Sequence, residues 1–211
     1  MLVVSSPNAN AAPTIVGAVG HCSADGLVFS IANNCPIDSR KVTGSATATA
    51  RAGTSPGAFA VGASAEPNRL YPRGRSASGI LELRSNLVTS KGGPVKVVLA
   101  NLSGRTTRKC NGLCSALGGT GSSTGVWVQL FVKGSSSVPQ ALCPVAWSGG
   151  QTTPQTLVVP DDCAQGGVTL EAPPNSTFEV VVLVIAQAQA AGGAAKARAT
   201  LAGHVAEIRV P

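Results

Sequence analysis

The sequence is poor in aromatic residues and in charge. Its 211 residues include four Phe, two Trp and one Tyr, and only 12% of the chain is Asp, Glu, Lys or Arg. Low charge together with a mean hydropathy of +0.24 argues against intrinsic disorder. The scarcity of Glu and Lys argues against long helices or a coiled coil. The chain is rich in Gly, Ser, Thr, Ala and Val, so we expect a compact protein with a core of small and β-branched side chains.

Long apolar runs are also missing. The nearest candidate, Val180 to Ala191, is interrupted by Gln187 and Gln189 and falls short of the roughly 20 residues of a membrane-spanning helix. The N-terminus, MLVVSSPNANAAP, has only the short apolar stretch LVV, and no Lys or Arg precedes Arg40. We therefore expect no secretory signal here and no membrane partner.

Residues that usually carry catalysis are few. His21 and His204 are the only histidines, and no phosphate-binding GxxxxGK[ST] pattern occurs. We therefore expect neither an enzyme nor a cofactor. Asp161 and Asp162, after Pro160, are the one adjacent pair of carboxylates; a turn is the favoured interpretation, with calcium as a weaker alternative.

Alternating β-branched and small residues predict strands throughout the chain. Val126 to Lys133, VWVQLFVK, is the clearest, and about eight to ten such runs recur every 10 to 20 residues without an amphipathic helix. This spacing predicts an all-β protein, an antiparallel β-sandwich, and specifically a jelly roll of about eight strands. Residues 1–26, rich in Pro, Ala, Gly and Ser, predict an extended N-terminal arm before a single domain over 27–211.

Two details of the strand pattern carry further predictions. The last two runs, Thr177 to Gln189 and Ala197 to Val210, are joined by a small-residue segment with two glycines, which predicts a hairpin. The run Val42 to Ala52, VTGSATATARA, alternates Thr with Ala, which predicts a strand with a weakly apolar face suited to close sheet packing or to a subunit contact.

The chain is basic, with a formal charge of +7. Its cations gather in RLYPRGR and in RTTRK, and the members of these two clusters are Arg69, Arg73 and Arg75 in the first and Arg105, Arg108 and Lys109 in the second. Such clusters are typical of solvated loops, and they also suit contact with nucleic-acid phosphates. Both interpretations stay open.

Six cysteines leave the compartment undecided. The pairs that neighbour each other in sequence are Cys22 with Cys35, Cys110 with Cys114, and Cys143 with Cys163. They are candidates for disulfides in a secreted protein, whereas buried free thiols fit a reducing compartment equally well.

The C-terminal residues carry a resemblance to a known family. The run Val180 to Pro211, with Ala186-Gln187 and then Thr200-Leu201-Ala202-Gly203-His204-Val205, resembles the last hairpin of coat proteins from small isometric RNA viruses of the tymovirus kind. Val126 to Gln140 is similar to a central capsid strand followed by a loop with proline. The segments cover less than a quarter of the chain, and the family's aromatic and basic segment has no counterpart here.

The resemblance implies a capsid subunit in a virion, with other copies of the chain as partners and viral RNA as a further one. The chain has no Arg-rich N-terminal arm, so neutralisation of RNA would be weak. The alternative is a secreted, disulfide-stabilised filament or cell-surface subunit, extracellular in location. A carbohydrate-binding sandwich that uses Trp127 and Trp147 ranks last.

Overall fold

Two antiparallel β-sheets pack face to face in this protein. The structure is a computed structural model that describes residues 13–41, 44–68, 74–109, 120–135, 140–148, 155–156, 167–191 and 195–211. These residues form strands and no helix: β1 Ile15–Ala24, β2 Leu27–Ala32, β3 Asn34–Lys41, β4 Gly44–Ala52, β5 Ala58–Pro67, β6 Arg75–Ser85, β7 Val88–Ser90, β8 Gly93–Lys109, β9 Thr120–Val132, β10 Gln140–Ser148, β11 Gln155–Thr156, β12 Val168–Ala172, β13 Ser176–Ala190 and β14 Lys196–Arg209. The predicted all-β sandwich is confirmed.

The strand order is that of a jelly roll. Sheet A has the order β10-β9-β13-β6-β1-β2, with β7 beside β13, and sheet B has the order β11-β8-β14-β5-β4-β3, with β12 beside β8. From β5 onward the pairs are β5 with β14, β6 with β13, β8 with β11 and β12, and β9 with β10. The first strand of this set pairs with the last, the second pairs with the second-last, and the pairing continues inward in this way. This is the pattern of a long hairpin rolled into two sheets.

The strands before β5 widen this jelly roll on one side. β1 pairs with β6 and then with β2, which extends sheet A, while β4 and β3 extend sheet B beyond β5. The predicted boundary of an arm at residue 26 is therefore wrong, because Ile15–Ala24 is a paired strand of sheet A with Cys22 and Ala24 buried. Residues 1–12 lie outside the described part of the chain.

The predicted C-terminal hairpin is also wrong. β13 lies in sheet A between β9 and β6, whereas β14 lies in sheet B between β8 and β5. Each strand has one buried face, and the two faces pack against each other across the core. The two strands do not pair through backbone hydrogen bonds. A period of two in a sequence shows that a strand has a buried face, but it does not show in which sheet its neighbour lies.

Alanine fills much of the core between the sheets. The buried alanines of the central strands are Ala46, Ala48, Ala50, Ala63, Ala65, Ala77, Ala186, Ala188, Ala190, Ala197 and Ala199. The rest of the core is mainly Val and Leu, with Phe178 as its largest fully buried side chain. For the run after Val42, close sheet packing is confirmed, because its inward-facing alanines pack between the two sheets of one chain.

Gly79 marks the point where the two sheets approach most closely. A Cβ added to this residue of β6 would lie 2.4 Å from the carbonyl oxygen of Thr49 and 2.9 Å from that of Gly62, both in sheet B. Neither backbone atom can move away cheaply, because each belongs to a paired strand. The low aromatic content follows from this geometry, since bulky side chains would force the sheets apart here.

Candidate functional site

Four cations form a continuous basic surface on the outer face of sheet B. We call Arg105 and Lys109 of β8 together with Lys196 and Arg198 of β14 the basic face. Lys109 lies directly opposite Lys196, and Arg198 lies opposite Thr107, between Arg105 and Lys109 on the neighbouring strand. All four side chains are exposed. Cross-strand neighbours lie about 5 Å apart and diagonal ones about 7–8 Å apart, so the four charges fit within one small patch.

Among the residues that the structure describes, the basic face has one carboxylate partner. Lys196 forms an ion pair with Glu66 of β5, which is half exposed. For Arg105, Lys109 and Arg198 no carboxylate partner occurs among the residues that the structure describes. A patch of four cations and one carboxylate attracts polyanions, and the attraction weakens as salt screens it.

The other end of the same two strands carries a smaller excess of positive charge, with two cations and one carboxylate. Lys96 of β8 lies opposite Arg209 of β14, and Arg209 donates a hydrogen bond of 2.7 Å to Glu207. This hydrogen bond, together with the charges of Arg209 and Lys96, lowers the pKa of the Glu207 carboxyl. The excess positive charge on the outer face of β8 and β14 is thus larger at the basic face than at this end.

The structure separates the cations predicted from the sequence. Arg105 and Lys109 belong to the basic face, while Arg108 points inward beside Thr120 and donates a 3.1 Å hydrogen bond to its hydroxyl. Arg69 and Arg73 lie outside the described residues. Lys196 and Arg198 were not among the cations predicted from sequence. Their alternation with alanine in a strand nevertheless indicates that they share a face.

Arg75 is a structural residue, and its prediction as a nucleic-acid contact is wrong. Its side chain is 4% exposed and forms an ion pair with Asp25, whose side chain is 8% exposed. Asp25 lies in the turn between β1 and β2 and also accepts hydrogen bonds from the Ser39 hydroxyl at 3.1 Å and the Ser76 backbone N–H at 3.3 Å. Arg75 donates further to the Gly44 carbonyl. The pair therefore ties the added strands of both sheets to β6.

The second surface feature is the strand at the end of sheet A. We call β2, with the sequence LVFSIA, the edge strand; its only strand partner among the described residues is β1. All six residues are exposed, including Leu27, Val28, Phe29 and Ile31 at 49%, 68%, 49% and 47%. Strands at sheet edges usually carry charge or proline that blocks further pairing, and this one carries neither.

A serine, a histidine and a carboxylate meet on the outer face of sheet A. Ser30 Oγ lies 2.8 Å from His21 Nδ1, and Glu82 lies 3.8 Å from His21 Nε2. Glu82 is also bound by Arg84. The three side chains lie on the open outer face of sheet A, and Ser30 belongs to its edge strand. His204 donates instead to the Pro56 carbonyl at 2.9 Å.

The part of the chain that the structure describes contains no group of three His, Cys, Asp or Glu side chains placed to hold a metal ion. Asp161 and Asp162, the calcium candidates, lie outside it. It also contains no apolar helix of membrane-spanning length. A cavity of about 550 Å³ opens near the start of β9 and is lined mainly by Ser and Gln side chains; Trp127 does not line it.

Two of the six cysteines are described in full. Cys22 of β1 and Cys35 of β3 are buried free thiols between the sheets. Cys143 lies in β10, opposite Val126 of β9, and Cys110, Cys114 and Cys163 lie outside the described residues. In comparisons with known proteins, neither a family model nor a curated protein matches this chain.

Proposed function

We propose that this protein is a self-assembling structural subunit, a viral coat protein whose copies form a closed shell around nucleic acid. The observation that carries the proposal is that the two sheets of the jelly roll present different surfaces. Sheet A ends in the uncharged edge strand, which has one free edge among the described residues. The outside of sheet B carries the basic face, whose positive charge is largely uncompensated.

The edge strand supports self-assembly. Its outer edge holds backbone N–H and C=O groups that suit an added strand, and a second copy of LVFSIA provides one without bringing charge into the contact. Two copies related by a two-fold axis would pair antiparallel, with Leu27 near the partner copy of Ala32 and Val28 near that of Ile31. Such a contact is closed by its own symmetry, so a shell needs further contacts between subunits.

The basic face supports a polyanionic cargo. It lies on the other sheet from the edge strand, so pairing of edge strands leaves it uncovered. Arginine and lysine at this spacing neutralise phosphates without reading bases, as packaging of a genome requires. Four cations in each subunit give weak binding by one copy, which many copies in a shell multiply.

Binding of single-stranded RNA at a series of salt concentrations tests the cargo. We expect the quadruple variant Arg105→Gln, Lys109→Gln, Lys196→Gln and Arg198→Gln to flatten the plot of log affinity against log salt. The slope should fall by about 0.7 for each phosphate that the variant no longer neutralises, about 3 in all. Fluorescence anisotropy of a short labelled RNA measures this slope.

The control carries the same change in net charge. Replacement of Arg40, Lys41, Arg51 and Lys133 by Gln removes four exposed cations from other parts of the surface. We expect this variant to retain most of the slope of the unmodified protein. Equal reductions of the slope in the two variants would mean that net charge alone binds RNA, and the basic face would then have no role of its own.

An extracellular filament or cell-surface subunit is the second candidate, and the same edge strand favours it, because strand addition can also proceed open-ended. Sedimentation of the purified protein separates the candidates. A coat protein gives one large species of uniform size, a filament gives a broad distribution of lengths, and a monomer at all concentrations contradicts both.

A further inference from the structure

A pair of cysteines that the proposed function does not use lies buried where the two sheets meet. Cys22 belongs to β1 of sheet A and Cys35 to β3 of sheet B, and their side chains are 1% and 0% exposed. Twelve residues separate them, including the whole edge strand. They are thus close in sequence and lie on opposite sheets.

Hydrogen bonds place the two sulfur atoms side by side. Cys22 Sγ donates to the backbone carbonyl of Cys35. Cys35 Sγ donates in turn to the carbonyl of Phe29 at 3.5 Å, and Phe29 is the residue directly opposite Cys22 in the pairing of β1 with β2. The Cys35 thiol is near enough to contribute to the raised pKa of the Cys22 thiol.

The backbones of β1 and β3 approach each other closely beside Cys22. A Cβ added to Gly20, two residues before Cys22 on the same face of β1, would lie 2.9 Å from Cys35 Cβ. A disulfide needs Cα atoms about 4.4–6.8 Å apart, a separation that few pairs of residues on opposite sheets of a sandwich reach. Because Gly20 has no side chain, β1 packs closely against Cys35 of β3.

We propose that Cys22 and Cys35 are the two halves of an inter-sheet disulfide and that this structure shows its reduced form. A thiolate of one cysteine attacks a small disulfide oxidant such as oxidised glutathione, forms a mixed disulfide and releases one reduced glutathione. The second cysteine then attacks the mixed disulfide and releases the other. The protein loses two thiol protons and two electrons, and the oxidant gains them as two thiols.

Burial determines when this bond forms. Desolvation, together with the neighbouring Cys35 thiol, raises the pKa of the Cys22 thiol to about 12, so the reactive thiolate is scarce at pH 8. Neither sulfur is accessible to an oxidant in the folded protein. The bond therefore forms while the chain folds, before the sheets close over the thiols, and the folded reduced protein resists oxidation.

Mapping the cysteines after two refolding reactions tests the proposal. The full chain is unfolded with reductant and refolded at pH 8, either with a mixture of oxidised and reduced glutathione or with reductant followed by oxidised glutathione. Each sample is then unfolded, alkylated and digested with trypsin. Because no Lys or Arg precedes Arg40, the peptide 1–40 contains Cys22 and Cys35 and none of the other four cysteines.

We expect peptide 1–40 from oxidative refolding to be lighter by two hydrogen atoms and to carry no alkyl group. The same peptide from the protein folded in reductant should carry two alkyl groups. Oxidation should raise the melting temperature by about 5–10 °C, because the link closes a short loop of the unfolded chain. The matched controls are Cys22→Ser, which should abolish the bond in peptide 1–40, and Cys143→Ser, which should leave it intact.

Two alkyl groups on peptide 1–40 after oxidative refolding would overturn the proposal, as would a cross-link from this peptide to another cysteine. Where refolding fails, the same mapping on protein exported to an oxidising compartment gives the same two outcomes. The proposal does not depend on the proposed function, because the mapping reads a bond within one chain and registers neither RNA binding nor assembly.

Discussion

Replacement of Arg75 by methionine should lower the free energy of unfolding by about 3–5 kcal/mol. The change leaves Asp25 as a buried charge without its cation, and methionine has no donor to replace the hydrogen bond to Gly44. Because the pair connects the turn after β1 with β6 and with the start of β4, its removal should loosen the strands that widen the jelly roll. Urea unfolding followed by circular dichroism measures the effect.

Two comparisons separate this effect from a general loss of charge. Arg40→Met removes an exposed partner of Asp38 and should cost less than 1 kcal/mol. The double variant Arg75→Met with Asp25→Asn removes both charges and should recover at least half of the lost stability. Stability of Arg75→Met within 1 kcal/mol of the unmodified protein would show that the pair does not hold these strands together.

Lysine in place of Val28 should prevent assembly. Val28 is the most exposed large apolar residue of the edge strand, and pairing of two edge strands would place each new lysine against the partner copy of Ile31. Removing a charge from water in each of these two apolar contacts costs a few kcal/mol, so we expect the association constant between subunits to fall by about 100-fold. Analytical ultracentrifugation at matched concentrations measures the distribution of subunits among species.

The matched control is Leu87→Lys, which adds the same charge at another apolar side chain that is 62% exposed and lies outside the edge strand. This variant should assemble as the unmodified protein does, and both variants should fold, since neither site is buried. If Val28→Lys assembles as well as Leu87→Lys, the edge strand is not a contact between subunits.

The fold was largely predictable because the strands of the jelly roll have one clear buried face. In β9, Val126, Val128 and Leu130 alternate with exposed or partly exposed residues, and this alternation identified the strand from sequence. β1 lacked such a signal, since Gly17 and Gly20 interrupt its apolar positions. The turn Asp25-Gly26, where both residues have positive φ, was a readable sign of the hairpin between β1 and β2.

The site was only partly predictable, because sequence clustering does not distinguish a cation on the outer face of a strand from one on its inner face. Arg105 and Arg108 stand three residues apart in one cluster, yet one faces solvent and the other faces Thr120. Lys196 and Arg198 join the basic face through the pairing of β14 with β8, a contact between segments about 90 residues apart. No local pattern specifies that register.

Electron microscopy of the purified protein mixed with RNA and then treated with nuclease tests the central claim most directly. If the protein is a coat subunit, it forms closed shells of a single diameter that retain RNA protected from the nuclease. The Val28→Lys variant then forms no shells. Monomers or open fibres with fully digested RNA would contradict it.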